Sequence, residues 1–302
     1  MELFISQIFN GLSVSSILLL AALGLAITFG LMGVINMAHG EFIMIGAYTT
    51  YVIQNIFKSI MPEKLFDTYF IVSIIMSFIV SGIFGLILER LIIRHLYGRV
   101  LDSLLVTWGV SLVLQQLART IFGSSNVSVI PPSFVDKNLK ITELLSFSYK
   151  RIFILIMAII CVALVAFLMY KTRAGRNVRA TMQNRGMAAS LGVNTNIIDA
   201  GTFAIGSGFA GIAGCALTFL GPIGPTIGTS YIVDAFMTVV VGGVGKILGA
   251  ITGSFIIGMG TSSFEFFTTA SIGKVITFIV VIILLQIKPK GIFTINTRSL
   301  DD

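Results

Sequence analysis

Charged residues are scarce in this chain, at 11% of its 302 residues, against roughly 25% in an ordinary soluble domain. Histidine and cysteine occur only twice each, and proline six times. A soluble domain needs more charged residues than this to hydrate its surface, and most of the surface must therefore face lipid. Cys161 and Cys215 both lie within apolar runs. They predict no disulfide and, with two dispersed histidines, no metal site; no cofactor is expected.

Long apolar runs dominate what is present, because hydrophobic residues make up 56% of the chain and the mean hydropathy is +0.99. A helical span needs about 20 apolar residues, and these runs lack the alternation of barrel strands. The predicted fold class is an all-α polytopic membrane protein with about eight to ten transmembrane helices. The predicted spans are 8–35, 40–57, 68–89, 102–121, 152–170, 200–220, 231–245, 247–268 and 272–287.

The segments between these spans are too short to bury a core of their own. We therefore expect residues 1–302 to form a single transmembrane domain whose energy source and solute receptor come from partner proteins. An outer loop is expected at 122–151, where Pro131 and Pro132 break any helix and 138–146 could form a short surface helix. An inner loop is expected at 171–199.

Lysine and arginine are concentrated in 89–99, in 171–185 and in the C-terminal tail, which holds Lys288, Lys290 and Arg298. Membrane proteins place such residues in cytoplasmic loops. The net charge of +7 is therefore assigned to membrane orientation and not to a nucleic-acid partner. This bias predicts a cytoplasmic C-terminus and, with an odd number of spans, an outer N-terminus.

Glycine is abundant, and two glycine motifs resemble nucleotide-binding patterns. "GSGFAG" at 206–211 matches GxGxxG but lies in an apolar span without the strand that a dinucleotide site requires. "GGVGK" at 242–246 lacks the first glycine and the final Ser or Thr of a phosphate loop, because Val240 and Ile247 occupy those positions. We therefore expect close helix packing here, as at the GxxxG of Gly249 and Gly253.

The stretch "NMAHGE" at 36–41 places an amide, an imidazole and a carboxylate between two apolar runs. One interpretation is a cytoplasmic loop, but the stretch has no Lys or Arg, unlike the other inner loops. Ionisable residues at membrane depth usually face a cavity. We therefore favour a broken helix, permitted by Gly33 and Gly40, in which Asn36, His39 and Glu41 line or brace a polar pathway. Glu41 needs a polar partner, either His39 or backbone N–H groups near Gly40.

Two further segments have polar residues on one helix face. In 231–258, a short helix, a Gly-Gly break and a longer helix are expected, with Asp234 and Thr238 one turn apart. We expect these two to lie opposite the "NMAHGE" residues. Two discontinuous elements, one per half of the chain, suggest a two-fold internal pseudo-repeat with a site at its interface. In 104–120, Thr107, Ser111 and Gln115 form a polar stripe at successive i+4 positions.

The basic loop 171–199 predicts a short amphipathic helix over 175–190. Arg176 and Arg179 lie on its polar side, and an apolar stripe is formed by Val178, Met182, Met187 and Leu191. Gly192 can end this helix, and Asn194 or Thr195 can cap the next span. Such a helix binds anionic lipid, retains the loop on one side of the membrane, or docks on a soluble partner.

Three stretches together resemble the permeases of branched-chain amino acid type ABC importers, and among these the B-type permeases of bacterial urea importers. They are "GLAITFGLMGVINMAHGEFIMIGAYTTY", "LLVTWGVSLVLQQLARTIFG" and "YIVDAFMTVVVGGVGKILGAITG". The resemblance implies a bacterial inner-membrane subunit that pairs with a second, C-type permease, two ATP-binding subunits and an extracellular or periplasmic binding protein. It also implies that 171–199 couples to the ATPase, with Met187, Ala188, Ala189 and Gly192 in place of the usual Glu-Ala-Ala-x-x-x-Gly pattern.

Urea is the substrate that the resemblance favours, and amide, hydroxyl and carboxylate groups suit this small neutral molecule. Branched-chain amino acids are the alternative substrate of the same type of importer. A passive urea or water channel is a different class: "NMA" at 36–38 resembles the aquaporin Asn-Pro-Ala motif but has no proline and no second copy. A structural or assembly protein would not need paired polar breaks.

Overall fold

The computed structural model describes residues 2–136, 138–142, 145–289 and 291–293. Lys290 and Arg298, two of the tail residues used to predict orientation, lie outside this part. Eleven α-helices dominate the described chain. They are α1 (Glu2–Met32), α2 (His39–Ile60), α3 (Tyr69–Leu91), α4 (Val100–Phe122), α5 (Tyr149–Lys171), α6 (Arg173–Gln183), α7 (Arg185–Ser190), α8 (Thr195–Leu217), α9 (Ile227–Gly242), α10 (Ile247–Phe267) and α11 (Ala270–Ile287).

Each predicted span corresponds to one helix. Among the described residues, seven helices are long and apolar enough to cross a membrane, namely α1, α3, α4, α5, α8, α10 and α11. The other two predicted spans, 40–57 and 231–245, coincide with α2 and with the 16-residue α9. The all-helical, polytopic class is therefore confirmed. The internal pseudo-repeat stays a prediction.

The predicted surface helix at 138–146 is wrong. The chain there forms an antiparallel hairpin of β1 (Asn138–Thr142) and β2 (Leu145–Ser148), in which Asn138 pairs with Ser148. The sequences NLKIT and LSFS alternate polar and apolar residues with the period of two that a strand requires. This hairpin leads directly into α5.

Helices α1 and α8 form the centre of the bundle and are the most buried of the seven long spans. Small residues on α8 allow this, because a Cβ added at Gly206, Gly211 or Gly214 would collide with backbone of α1, α3 or α2 respectively. Close approach through small residues is how helices pack in lipid, where burial of apolar surface gives little driving force. The packing role expected for "GSGFAG" is therefore confirmed.

The outer helices α3, α4, α5, α10 and α11 present large apolar side chains outwards. Side chains such as Ile75, Trp108, Ile159, Phe255 and Ile283 are exposed on these helices. In water such a surface would drive aggregation, whereas in lipid it faces hydrocarbon. The exposed apolar surface and the buried small residues together define a membrane-embedded bundle.

Candidate functional site

The α1–α2 connector (residues 33–38) is non-helical and mostly buried. Gly33 begins it with φ +60°, a left-handed conformation that favours glycine. The Asn36 side chain then accepts a hydrogen bond from the Ala38 N–H at 3.0 Å. The Thr107 hydroxyl of α4 accepts one from the Met37 N–H, also at 3.0 Å. The interruption of the helix predicted around "NMAHGE" is thus present, and side chains bind two of its backbone N–H groups.

Gly40 does not form part of this break, contrary to the prediction. It lies in the first turn of α2, where a Cβ would collide with the backbone of Gly228 on α9. Its physical role is to let α2 and α9 approach closely, and Gly33 alone supplies the turn.

Glu41 is fully buried, and its partners come from α4. Its Oε1 accepts hydrogen bonds from the Ser111 hydroxyl at 2.7 Å and from the Gln115 amide at 2.8 Å. His39, the partner proposed from sequence, faces the other way: its Nε2 lies 3.2 Å from the carbonyl oxygen of Ala21 on α1. The reason is helix geometry, since residues two apart do not share a face.

The polar stripe predicted on α4 is present and buried. Ser111 and Gln115 face Glu41 of α2 and Thr107 faces the α1–α2 connector, while Trp108 and Leu112 between them are exposed. In lipid, a carboxylate is costly unless polar groups surround it. The stripe therefore supplies the donors that Glu41 needs, and the two sequence motifs form one cluster.

This cluster keeps unused hydrogen-bonding capacity. Within the described ranges, three of its buried atoms make no hydrogen bond: Glu41 Oε2, Asn36 Nδ2 and His39 Nδ1. Buried polar atoms are nearly always paired in folded proteins. Glu41 Oε2, Asn36 Nδ2 and His39 Nδ1 can therefore each form a further hydrogen bond.

Asp234 and Thr238 on α9 do not join the Glu41 cluster. The carboxylate of Asp234 forms an ion pair with Lys274 of α11, with Oδ2 and Nζ 2.8 Å apart. The Thr238 hydroxyl donates to the carbonyl oxygen of Asp234, one turn earlier, at 2.7 Å. The Asp234 carboxylate thus points towards α11 and the Thr238 hydroxyl bonds within α9, whereas the contacts of Glu41 go to α4.

The helix–glycine–helix pattern predicted for 231–258 is confirmed. After α9 ends at Gly242, residues 243–246 turn the chain with Gly243 at φ +101° and Gly245 at φ +82°. Close contacts between Gly242 and Gly249 and between Thr238 and Gly253 show that α10 folds back along α9. "GGVGK" is therefore a turn between two closely packed helices.

The basic segment forms two helices, α6 and α7, and not the single helix predicted over 175–190. Asn184 separates them in an extended conformation, and its side chain accepts from the Met187 N–H at 2.9 Å. An asparagine side chain that caps a new helix in this way competes with continuation of the old one. Gly192 ends α7 with φ +88°, and Asn194 caps α8, as the sequence indicated.

The apolar stripe predicted on this segment divides between the two helices. Val178 of α6 is buried against the bundle, but Met187 and Leu191 are 62% and 78% exposed. Arg176 is exposed, whereas Arg179 is half-buried with its guanidinium over the ring of Tyr170. Of the remaining predicted coupling residues, Ala188 is buried, and Ala189 and Gly192 are exposed.

Sequence reasoning missed a chain of polar contacts beneath α7. Arg185 pairs with the buried Asp199 of α8 at 2.6 Å and lies over the ring of Tyr97, 4.7 Å from its centroid. The Tyr97 hydroxyl donates to Glu89 Oε1 of α3 at 2.9 Å. Burial, and secondarily the nearby Glu89 charge, raise the pKa of Tyr97, which keeps this donor protonated. The sequence did contain a signal for these contacts, because Glu89 and Asp199 are acidic residues at the ends of apolar runs.

Comparison with known proteins adds a family assignment to this geometry. Residues 7–285 match the protein family described as "Branched-chain amino acid transport system / permease component". The chain is 31% identical to the high-affinity branched-chain amino acid transport system permease protein LivH of Salmonella typhimurium strain LT2, over 96% of this chain and 95% of that protein. No solved structure matches the chain.

Two relatives from other organisms match over a similar extent. The chain is 30% identical to the high-affinity branched-chain amino acid transport system permease protein BraD of Pseudomonas aeruginosa, over 96% of this chain and 95% of that protein. It is 29% identical to the probable branched-chain amino acid transport permease protein LivH of Methanocaldococcus jannaschii, over 95% and 91%. The family and these relatives are named for branched-chain amino acids and not for urea.

Proposed function

We propose that this chain, which belongs to the family of branched-chain amino acid transport system permease components, carries branched-chain amino acids through the membrane as part of an ATP-driven importer. As a permease component, the chain is a transport subunit and not an enzyme. The observation that supports this function best is the similarity to LivH and BraD along nearly the whole chain.

The substrate in this proposal differs from the urea expected from sequence. The hydroxyl and amide donors on α4 that suited urea are already used: both Ser111 and Gln115 donate to Glu41. Groups that hold two helices together in this way are not free to select a substrate. The α4 donors therefore give urea little support, and the relatives' names favour the amino-acid alternative.

We assign the Glu41 cluster to the translocation pathway as its bracing element. Asn36 and Thr107 hold the α1–α2 connector, and Glu41, Ser111 and Gln115 tie α2 to α4. His39 fixes the start of α2 against α1. Asp234 and Thr238 belong to α9, which packs against the start of α2 at Gly40 and Gly228, and we assign the contact of α9 with α11 to the same pathway. Movement of α4 relative to α2 would open the connector to substrate.

The partners in this proposal are those of the permease family, and the docking surface follows from the apolar and basic residues that this chain exposes. We propose that two ATP-binding subunits lie beneath the paired permeases and that one of them docks on α6 and α7 from the cytoplasm, because Met187 of α7 and the following Leu191 are exposed beside basic residues. A C-type permease completes the pathway, and a solute-binding protein delivers substrate at the outer face of a bacterial inner membrane. This arrangement places the C-terminus in the cytoplasm and the N-terminus outside.

Uptake by cells tests the proposed substrate. Cells that carry the complete importer should accumulate labelled leucine at micromolar concentrations, and deletion of this chain alone should abolish that uptake. Unlabelled isoleucine and valine should compete, and urea should not. Chain-dependent uptake of labelled urea that leucine does not inhibit would reject the amino-acid assignment.

Cysteine scanning of residues 34–42 tests the pathway assignment separately. Buried positions such as Asn36 and Ala38 should react with a thiol reagent only when the ATPase is trapped in a different nucleotide state. Thr268→Cys, exposed just beyond the end of α10, is the control and should react in every state. Free labelling of the connector in all states would show that it is an ordinary inner loop.

A further inference from the structure

A second polar site lies between α1, α9, α10 and α11. It is a cavity of about 280 Å³, close to the lower end of the volumes that hold small ligands, roughly 300–1,000 Å³. Its residues come from the middle of α1, the first half of α9, the last turns of α10 and the first turns of α11. The lining is Val14, Ile17, Leu18, Ser230, Tyr231, Asp234, Ile257, Thr261, Glu265 and Lys274.

This cavity lies in the half of the bundle that is farther from the coupling helices α6 and α7. Gln7, near the start of α1, donates to the Ser262 hydroxyl at 3.1 Å, which places the last turns of α10 beside the start of α1. Gly30, near the end of α1, lies against Met182 of α6. With α6 and α7 in the cytoplasm, the cavity is on the outer side, where substrate arrives.

Three charged groups line the cavity. Lys274 pairs with Asp234 at 2.8 Å; the lysine side chain is 42% exposed and the aspartate side chain 14%. In the described part of the chain, Glu265 makes no hydrogen bond or ion pair, although it lines the same space. The lining therefore has two carboxylates for one ammonium, and the lysine ammonium has donors beyond the one that Asp234 uses.

One wall of the cavity is apolar. Val14, Ile17 and Leu18 of α1 lie on this wall with Ile257 of α10. Branched aliphatic side chains are well matched by such a wall, since burial of apolar surface is favourable at about 25 cal/mol per Å². Urea, which has no apolar part, would gain nothing from it.

We propose that this cavity binds the zwitterionic head group of an aliphatic amino acid, with Lys274 on the α-carboxylate, Glu265 and Asp234 on the α-ammonium, and the α1 wall on the side chain. The proposal rests on the proposed function and names a binding site for its substrate class. The ligand's ammonium neutralises the excess carboxylate of the lining. Its carboxylate uses the free donors of Lys274.

An ion pair that merely fastens α9 to α11 would not require a cavity beside it. Elsewhere, the pair of Lys150 and Asp136 joins two chain segments at 2.7 Å and does not line this cavity. The combination of a pair, an unpaired carboxylate and an apolar wall around one space is what distinguishes the α9–α11 site.

Protection of an introduced thiol tests the site in the intact importer. Thr261→Cys places a thiol in the cavity, and the native Cys161 and Cys215 are buried. A membrane-impermeant reagent added from outside should label it, and leucine should protect it. Leucinol, which lacks the carboxylate, and 4-methylpentanoate, which lacks the amine, should need about tenfold higher concentrations. Urea should not protect.

Substitutions in the lining give the decisive comparison. Lys274→Met in the Thr261→Cys background should weaken protection by leucine about tenfold, and Lys274→Arg should retain most of it. Thr268→Cys, exposed beyond the end of α10, is the control and should be labelled with or without leucine. Failure of the reagent to label Thr261→Cys, or equal protection by leucine and leucinol, would overturn the proposal.

Leucine uptake by the Thr261→Cys importer distinguishes failure of this proposal from failure of the function on which it rests. If labelled leucine is taken up but does not protect Thr261→Cys at concentrations far above those that saturate uptake, the binding site is wrong and the transport function stands. If urea is taken up in place of leucine, the proposed function itself fails.

Discussion

The Ser111 hydroxyl of α4 donates a 2.7 Å hydrogen bond to the buried carboxylate of Glu41 at the start of α2. This contact joins an otherwise lipid-exposed helix to the bundle at the level of the α1–α2 connector. Because apolar side chains give little preference between protein and lipid, polar contacts of this kind decide where α4 sits. Conformational change in the importer must therefore act on them.

Substitutions of Glu41 should show whether transport needs its hydrogen bonds to α4 or its negative charge. Glu41→Gln keeps an oxygen that can accept from both Ser111 and Gln115, so we expect normal abundance and near-normal uptake. Glu41→Ala leaves these two donors without their acceptor, a loss of about 1–3 kcal/mol, and uptake should fall sharply. Labelled-leucine uptake normalised to membrane abundance is the measurement. An inactive but abundant Glu41→Gln variant would show that the charge itself is required.

Exposed apolar residues on α7 should bind the ATPase. Met187→Asp and Leu191→Asp should each reduce co-purification of the ATP-binding subunits and uncouple uptake from ATP hydrolysis, because they place a charge in an apolar contact. Ser190→Asp adds the same charge on the same helix without removal of apolar surface, and it should have little effect. Arg176→Glu together with Arg179→Glu should also impair coupling. Undiminished co-purification with Leu191→Asp would argue against docking at α7.

The Arg185–Asp199 pair should be asymmetric in its effect on stability. Arg185→Ala leaves the buried Asp199 without its cation and should cost about 1–3 kcal/mol. Asp199→Ala leaves Arg185, which is 43% exposed and can be hydrated, so its cost should be smaller. Thermal unfolding of the purified permease measures both. An equal loss in the two variants would mean that the attraction of the pair, and not burial of the carboxylate, sets the energy.

Glycine at the α2–α8 crossing should be irreplaceable. A Cβ at Gly46 would collide with the backbone of Gly211, which cannot move aside, so Gly46→Ala should destabilise the bundle by about 1–3 kcal/mol. Gly109 on α4 has no atom within 4 Å of an added Cβ. Gly109→Ala is therefore the matched control and should be neutral or slightly stabilising. Equal yields of folded protein from the two variants would contradict the close crossing.

The sequence was sufficient to locate the helices and the polar faces because both depend on local periodicity. Runs of apolar residues fix where a span can lie, and the i+4 spacing of Thr107, Ser111 and Gln115 fixes that they share a face. The break before His39 followed from polar residues at membrane depth. Each of these inferences needs only the geometry of one helix.

Pairings between elements could not be predicted in the same way. Glu41 selects Ser111 and Gln115 over the adjacent His39 because of where α4 packs, which no local pattern contains. Asp234 likewise pairs with Lys274, forty residues later, and not with the "NMAHGE" cluster. The division at Asn184 was missed because an amphipathic pattern continues through it, although its capping side chain ends the helix.

Reconstitution of the complete importer in proteoliposomes tests the central claim most directly. Vesicles with this chain, its permease partner, the ATPases and the binding protein should accumulate labelled leucine only when ATP is supplied to the ATPase side. Transport should fall with Glu41→Ala and persist with Glu41→Gln. Leucine equilibration without ATP, or ATP-driven accumulation of urea with no accumulation of leucine, would contradict the account.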